Sequence, residues 1–193
     1  MYSNSHFKYF KESKDYKSFY KQQKKFINTL SKIERDVLIS FTKGYDHTYN
    51  GLNEDDINLT NNTIGAEKGR EILHGILKKA PATEFDLLLF RGFLKNQVRK
   101  FPSYTLDPKI AEGFVTGFDI VIKKKKTNGI LQHVDVRKGT RMLLLEPITL
   151  YPGEEEILLH PDISFLEKGK KIGNKKRIIP ININYDIKSG ILF

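Results

Sequence analysis

Between residues 8 and 30, apolar side chains recur at helical spacing. Tyr9, Tyr16, Phe19, Tyr20, Phe26, Ile27 and Leu30 fall on one side, while Lys8, Lys11, Lys14, Lys17, Lys21, Lys24 and Lys25 gather on the other. The pattern predicts an amphipathic helix with a cationic outer face. A second helix is predicted after Ser31, because Ser31 and Glu34 have capping-box spacing ahead of an apolar run. Residues 44–64 are rich in Gly, Asn, Asp and Thr and read as loop with room for a short helix. Helical spacing returns over 66–80 and stops at Pro81.

After Pro81 the period changes. Residues 86–91 read as a short buried strand, and 108–118 as a helix with Pro108 in its first turn and Asp107 as its cap. Strand-like runs follow near 119–126, 130–136, 141–146, 155–160, 177–185 and 190–193, and Asn128-Gly129 marks a hairpin turn. Helices first and strands afterwards predict an α+β fold, not an alternating α/β one. With 193 residues, no internal repeat and no evident linker, the chain reads as one domain over 1–193, mainly helical over 1–82 and β-rich over 83–193.

Composition narrows the class of function. A hydrophobic content of 39% suits a folded protein, and no apolar run approaches the ~20 residues of a membrane helix. The lysine- and aromatic-rich start has no apolar signal-peptide centre, so a cytoplasmic location is expected. The absence of cysteine excludes disulfides and thiolate metal sites, and five scattered histidines show no ligand spacing, so the expected chemistry is metal-free. The net charge of +10 is unevenly placed, concentrated in the first 35 residues, in Lys123 to Lys126 and between Lys168 and Arg177. Such patches bind nucleic acid, acidic proteins or phosphate-bearing ligands, or simply keep a protein soluble.

The chemistry concentrates in three segments. Residues 151–159 read Tyr-Pro-Gly-Glu-Glu-Glu-Ile-Leu-Leu, where a turn runs into an apolar strand. In a strand, Glu154 and Glu156 would project together and Glu155 apart from them. Upstream stand Phe90-Arg91-Gly92 and a stretch from Phe101 through Ser103-Tyr104-Thr105 to Phe114. Taken singly, Arg91 reads as a surface arginine at a strand end, Phe114 as helix packing and the glutamates as a solvated turn.

Together, in this order and spacing, the segments resemble the mono-ADP-ribosyltransferases of the arginine–serine–glutamate class, which include the clostridial actin-modifying toxins, small exoenzyme toxins and several phage enzymes. The resemblance spans roughly residues 30–193. It implies N-terminal helices packed on a two-sheet, mostly antiparallel β core, and it implies NAD as co-substrate. It maps the family's strand arginine and glycine onto Arg91 and Gly92, and its Ser-Thr-Ser motif onto Ser103, Tyr104 and Thr105. The nicotinamide-stacking aromatic maps onto Phe114, the acceptor-recognising turn onto Tyr151 to Glu155, and the Glu-x-Glu pair onto Glu154 and Glu156. The Ser-Tyr-Thr sequence departs from the family pattern at its second and third positions.

The residue types fit the implied roles. Glu156 would stabilise the oxocarbenium-like ribose formed as the nicotinamide bond breaks, with Ser103 holding its rotamer. Arg91 would hold the NAD phosphates, and Gly92 and Thr105 would line the same site. Glu154 and Tyr151 would face the acceptor, a glutamate at that position implying a protein arginine. No role is assigned to Glu155. The basic helix leaves RNA open as the acceptor, and water is a third. The contexts this leaves open are a phage host-takeover enzyme, a toxin–antitoxin or defence toxin with a neutralising antitoxin or immunity partner, and a separately delivered effector. The competing class is a non-catalytic basic binding module on the same scaffold.

Overall fold

The computed structural model describes residues 9–42, 66–94, 101–116, 129–160, 166–167 and 177–182. The strands expected near 119–126 and 190–193, the loop at 44–64, Lys123 to Lys126 and Asn128 of the hairpin turn lie outside the described residues.

The first predicted helix is divided in two. A 3-10 turn covers Phe10–Glu12, Ser13 is extended (φ −83°, ψ 151°), and α1 runs Tyr16–Thr29. Residues 16–29 hold no Gly or Pro and are rich in Lys and Gln, so α1 follows from local propensity. The break before it is a tertiary effect. On one continuous helix Phe10 and Phe19 would stand two and a half turns apart, on opposite sides. Here their rings meet edge to face at 5.1 Å, with Phe85 5.3 Å and Tyr16 6.2 Å from Phe10. Burial of Phe10 in the β core outweighs continuation of the helix.

The next helices start as their sequences predict. In α2 (Lys32–Thr42) the capping box is formed: Ser31 Oγ accepts from the Glu34 N–H (3.3 Å), and Glu34 Oε2 accepts from the Ser31 N–H (2.8 Å). Helix α3 (Ala66–Lys79) carries Lys78 and Lys79 in its last turn, favourable to the helix dipole. Helix α4 (Pro108–Thr116) is capped by Asp107, whose Oδ1 accepts from the Lys109 N–H at 2.9 Å.

Among the described residues, seven strands follow the order β4-β5-β2-β1-β3-β7-β6, with β1 Leu87–Leu94, β2 Ser103–Thr105, β3 Gly129–Val136, β4 Met142–Leu144, β5 Glu156–Leu159, β6 Leu166–Glu167 and β7 Arg177–Asn182. All pairs are antiparallel except β3 with β7. Where two sheets were expected, the hydrogen-bonded order is continuous. The halves β4-β5-β2 and β1-β3-β7-β6 meet at one registered pair, Phe90 with Thr105. Across that narrow seam the sheet folds over itself. Leu87, Leu89, Val134 and Val136 of one half share a core with Met142, Leu144, Ile157 and Leu159 of the other.

The outer faces are also covered, which is why the strands read as unbroken apolar runs, not alternating ones. Leu143 and Leu158 pack on α2 and α3 through Leu38, Phe41, Leu73 and Leu77, while Phe90 and Leu131 pack under Ala111 of α4. The buried Gln23 of α1 accepts the Leu144 N–H (3.2 Å) at the edge strand β4, so a polar residue in the apolar stripe ties helix to sheet. Among the described residues no helix is long and apolar enough to cross a membrane.

Ser31→Ala should lower unfolding free energy by about 1 kcal/mol at neutral pH, read by chemical denaturation. Glu34 is held below its ordinary pKa first by the Ser31 N–H bond. Its contribution is therefore present above the unfolded value of about 4.3 and is lost as pH falls through the lower folded value. Glu34→Gln should then converge on the parent protein in acid.

Candidate active site

The register of three strands decides which predicted residues share a surface. Ser103, Tyr104 and Thr105 of β2 oppose Leu158, Ile157 and Glu156 of β5, and Phe90 of β1 opposes Thr105. Side chains alternate between the faces of a strand. Ser103, Thr105 and Glu156 therefore belong to one face, with Ser103 and Glu156 on the diagonal, roughly 7–8 Å between backbones. Gly92, two residues beyond Phe90, continues that face on β1. One end of it is covered by the α2–α3 layer on Leu158, the other by α4 on Phe90 and Leu131. The interval between the two covers holds Gly92, Ser103 and Glu156. Phe114, one turn beyond the buried Ala111 on α4, is 45% exposed.

Arg91 is brought elsewhere. It stands on the opposite face with Tyr104, its guanidinium carbon 4.9 Å from the Phe93 ring centroid and 5.9 Å from that of Tyr104. Burial lowers its pKa, opposed by the Tyr104 hydroxyl. Burial likewise pushes the Tyr104 phenol up to about 12, against the pull of the Arg91 charge. The period-two pleat puts consecutive residues on opposite faces, so Phe90 and Arg91 cannot both face Thr105.

Thr105 also departs from its expected role. Its hydroxyl is buried, donates to the Glu154 carbonyl (2.6 Å) and accepts from the Asp107 N–H (3.0 Å). That hydroxyl joins the end of β2 to the glutamate turn and is engaged in holding the fold together.

The glutamate turn is not the start of a regular strand. β5 begins at Glu156, and Glu155 has φ 49°, the left-handed region that L residues adopt at a cost. Alternation from Glu154 to Glu156 therefore does not apply as expected, because the chain twists between them. Gly153, with φ 96°, supplies the preceding reversal, where a side chain would be strained. Glu146 braces the turn from below: its Oε1 accepts from the Gly153 N–H (2.8 Å) and its Oε2 from the Glu155 N–H (3.2 Å). Glu154 is half-buried, and its carboxyl pKa is raised by burial and then by the Glu146 charge. Leu150 and Tyr151 form the tip and are 53% and 40% exposed.

Several residues at this turn escape sequence reasoning. Glu155 is 6% exposed and forms an ion pair with Lys11 at 3.1 Å; Lys11 also reaches Asp107 at 3.3 Å. Glu146 and Lys11 lie among ordinary charged positions, and nothing in their local sequence marks them.

This arrangement of helices on a folded-over sheet is the fold of the bacterial ADP-ribosyltransferase toxins. Solved structures that share it include an ADP-ribosyltransferase from Clostridium botulinum, 18% identical, covering 91% of this chain and 96% of that one at a TM-score of 0.60. The C3 exoenzyme of Clostridium limosum is 17% identical over 91% and 96% of the two chains, with a TM-score of 0.64. Exoenzyme S from Pseudomonas aeruginosa, solved with human 14-3-3 protein beta and bound to carba-NAD, is 15% identical over 86% and 83%, with a TM-score of 0.57. No protein-family model matches the chain, and no curated protein matches it by sequence.

Thr105→Val keeps the shape of the side chain but leaves the Glu154 carbonyl and the Asp107 N–H without their partner. It should cost about 1–3 kcal/mol of stability by chemical denaturation, whereas Thr105→Ser should cost much less.

Proposed function

We propose that this protein is an NAD-dependent mono-ADP-ribosyltransferase whose acceptor is a protein arginine. The observation that carries the reading is the strand register that puts Gly92, Ser103 and Glu156 on one face beside the braced turn of Glu154, within a fold shared with ADP-ribosyltransferase toxins. The fit to NAD rests on residue chemistry. Gly92 presents backbone without a side chain, so a flat carboxamide ring can approach the strand closely. Phe114 offers an exposed ring on α4 for that ring to stack on.

Glu156 is the proposed catalytic carboxylate. As the bond from the ribose C1′ to nicotinamide breaks, its electron pair leaves with nicotinamide and positive charge develops on the ribose. A fixed carboxylate stabilises that charge. Ser103, on the same face, orients it. Arg91, on the other face against Tyr104 and Phe93, is proposed to stiffen the strand that carries Gly92. The new bond joins C1′ to a guanidinium nitrogen of the acceptor, and Glu154 takes the proton that nitrogen loses. The raised pKa of Glu154 brings it nearer to the proton affinity a general base needs. Leu150 and Tyr151 present an apolar tip to the acceptor protein.

A second reading, RNA as acceptor, has its own observation. Lys14, Lys17, Lys21, Lys24 and Lys25 carry a cationic line along α1 and the residues before it, and all five are exposed. Residues 16–29 contain no acid to offset it. Such a line attracts a polyanion at low salt.

Purified protein given labelled NAD and cell lysate should yield label that protease removes and RNase does not; label surviving protease and lost to RNase would replace the arginine reading with the RNA one. Glu156→Gln should reduce both transfer and NAD hydrolysis by at least about a hundredfold, and a variant with parental rates would remove the assignment. Transfer should fall as pH drops through the raised Glu154 pKa, where the carboxylate gains its proton. Glu154→Gln should lose transfer and that acid limb together, while NAD hydrolysis persists.

A further inference from the structure

We propose that residues 9–16 form a strap across the site and that Lys11 is a positioning residue, holding the Glu155 turn so that Glu154 and Glu156 on either side of it are set for reaction. The proposal rests on the transferase reading above and adds to it a residue outside all three motif segments.

Lys11 belongs by sequence to the cationic stripe of the first helix, yet the structure removes it from that stripe. The 3-10 turn at Phe10–Glu12 and the extended Ser13 rotate it away from Lys14, Lys17 and Lys21. Its Nζ stands 3.1 Å from Glu155 Oε1 and 3.3 Å from Asp107 Oδ2. The strap is anchored from beneath by Phe10, fully buried among Tyr16, Phe19 and Phe85. Tyr9 lies edge-on to Phe90 at 5.9 Å and sets its hydroxyl beside Asp107, while the Tyr16 hydroxyl lies beside Glu155.

Glu155 is held at its N–H, at its carbonyl and at one carboxylate oxygen. Its N–H donates to Glu146, its carbonyl accepts from the Leu106 N–H (3.4 Å), and its carboxylate meets Lys11. Among the described residues it is the only non-glycine with positive φ. That geometry persists because the surroundings overdetermine it. Burial raises the Glu155 pKa, Lys11 pulls it down, and the charges of Glu146 and Asp107 raise it again. Two carboxylates, Glu155 and Asp107, thus converge on one ammonium, with Glu146 adding its charge beside Glu155. Without Lys11, Glu155 would either take a proton or turn outward to water. In both cases the twist between Glu154 and Glu156 loses its tether. Displacements of an ångström at a reacting carboxylate cost far more in rate than in stability.

The test compares Lys11→Met and Lys11→Arg with the parent, measuring kcat and KM for NAD hydrolysis and for transfer, together with thermal unfolding. Lys11→Met should lower kcat for both reactions by about tenfold and leave KM for NAD within about twofold, and Lys11→Arg should restore most of the loss. In a Glu155→Gln background, adding Lys11→Met should change kcat by less than about twofold, because the two residues act through one contact. Parental kcat in Lys11→Met, or additive losses in the double variant, would overturn the strap. Should Lys11→Met not fold, Glu155→Gln alone decides: a lowered kcat at unchanged KM supports the proposal and parental kcat refutes it. A parent protein that neither cleaves NAD nor transfers ADP-ribose overturns the transferase reading and the strap with it, whereas active parent and equally active variants overturn the strap alone.

Discussion

A buried glutamate in a left-handed turn is costly twice over, once for its backbone and once for its charge. Glu155 meets both conditions, and the elements around it can be understood by what they do for it. Lys11 supplies the opposing charge, Glu146 binds the turn's N–H groups, and Thr105 ties the neighbouring carbonyl to β2. These contacts come from separate stretches of chain. Their convergence makes the residues between Gly153 and Glu156 a rigid corner rather than a loop, and a rigid corner is what fixed carboxylates require.

The folded-over sheet places that corner. Because the two halves join at one registered pair, each half can turn one face toward the other and leave its second face to helices. The helical layer and α4 cover opposite ends of the outer face, and the interval between them carries Gly92, Ser103 and Glu156. Opposite it, Arg91 and Tyr104 extend the inner core toward its polar rim. The tyrosine that departs from the family motif is thus a core residue and a partner for Arg91. A threonine at its position would leave much of that inner volume unfilled.

Much of the fold was legible from short-range rules. The capping box at Ser31 and Glu34, the Asp107 cap and the stop at Pro81 all depend on contacts within four residues, and all stand in the structure. The strand run 86–91 was legible as buried, although β1 continues to Leu94 because Gly92, Phe93 and Leu94 find partners in β3. Periodicity failed at residues 9–15, where the aromatic spacing of a helix is present but Phe10 is more favourably buried in the β core. The two-residue strand β6 had no detectable pattern, since its pairing with β7 is wholly non-local.

The order of the motif segments, the candidate carboxylates and the expected class of chemistry were read from the sequence alone, because they reside in residue types and in spacings along the chain. Which side chains share a surface was decided only in three dimensions. Strand register set Arg91 apart from Ser103 and Glu156, a buried hydroxyl bound Thr105 into the fold, and a lysine from the far N-terminal end of the chain became the counter-charge of Glu155. The physical reason is the same in each case. Charge and hydrogen-bonding capacity are properties of a residue, but the partner that satisfies them is chosen by packing, and packing brings together positions that no local pattern links.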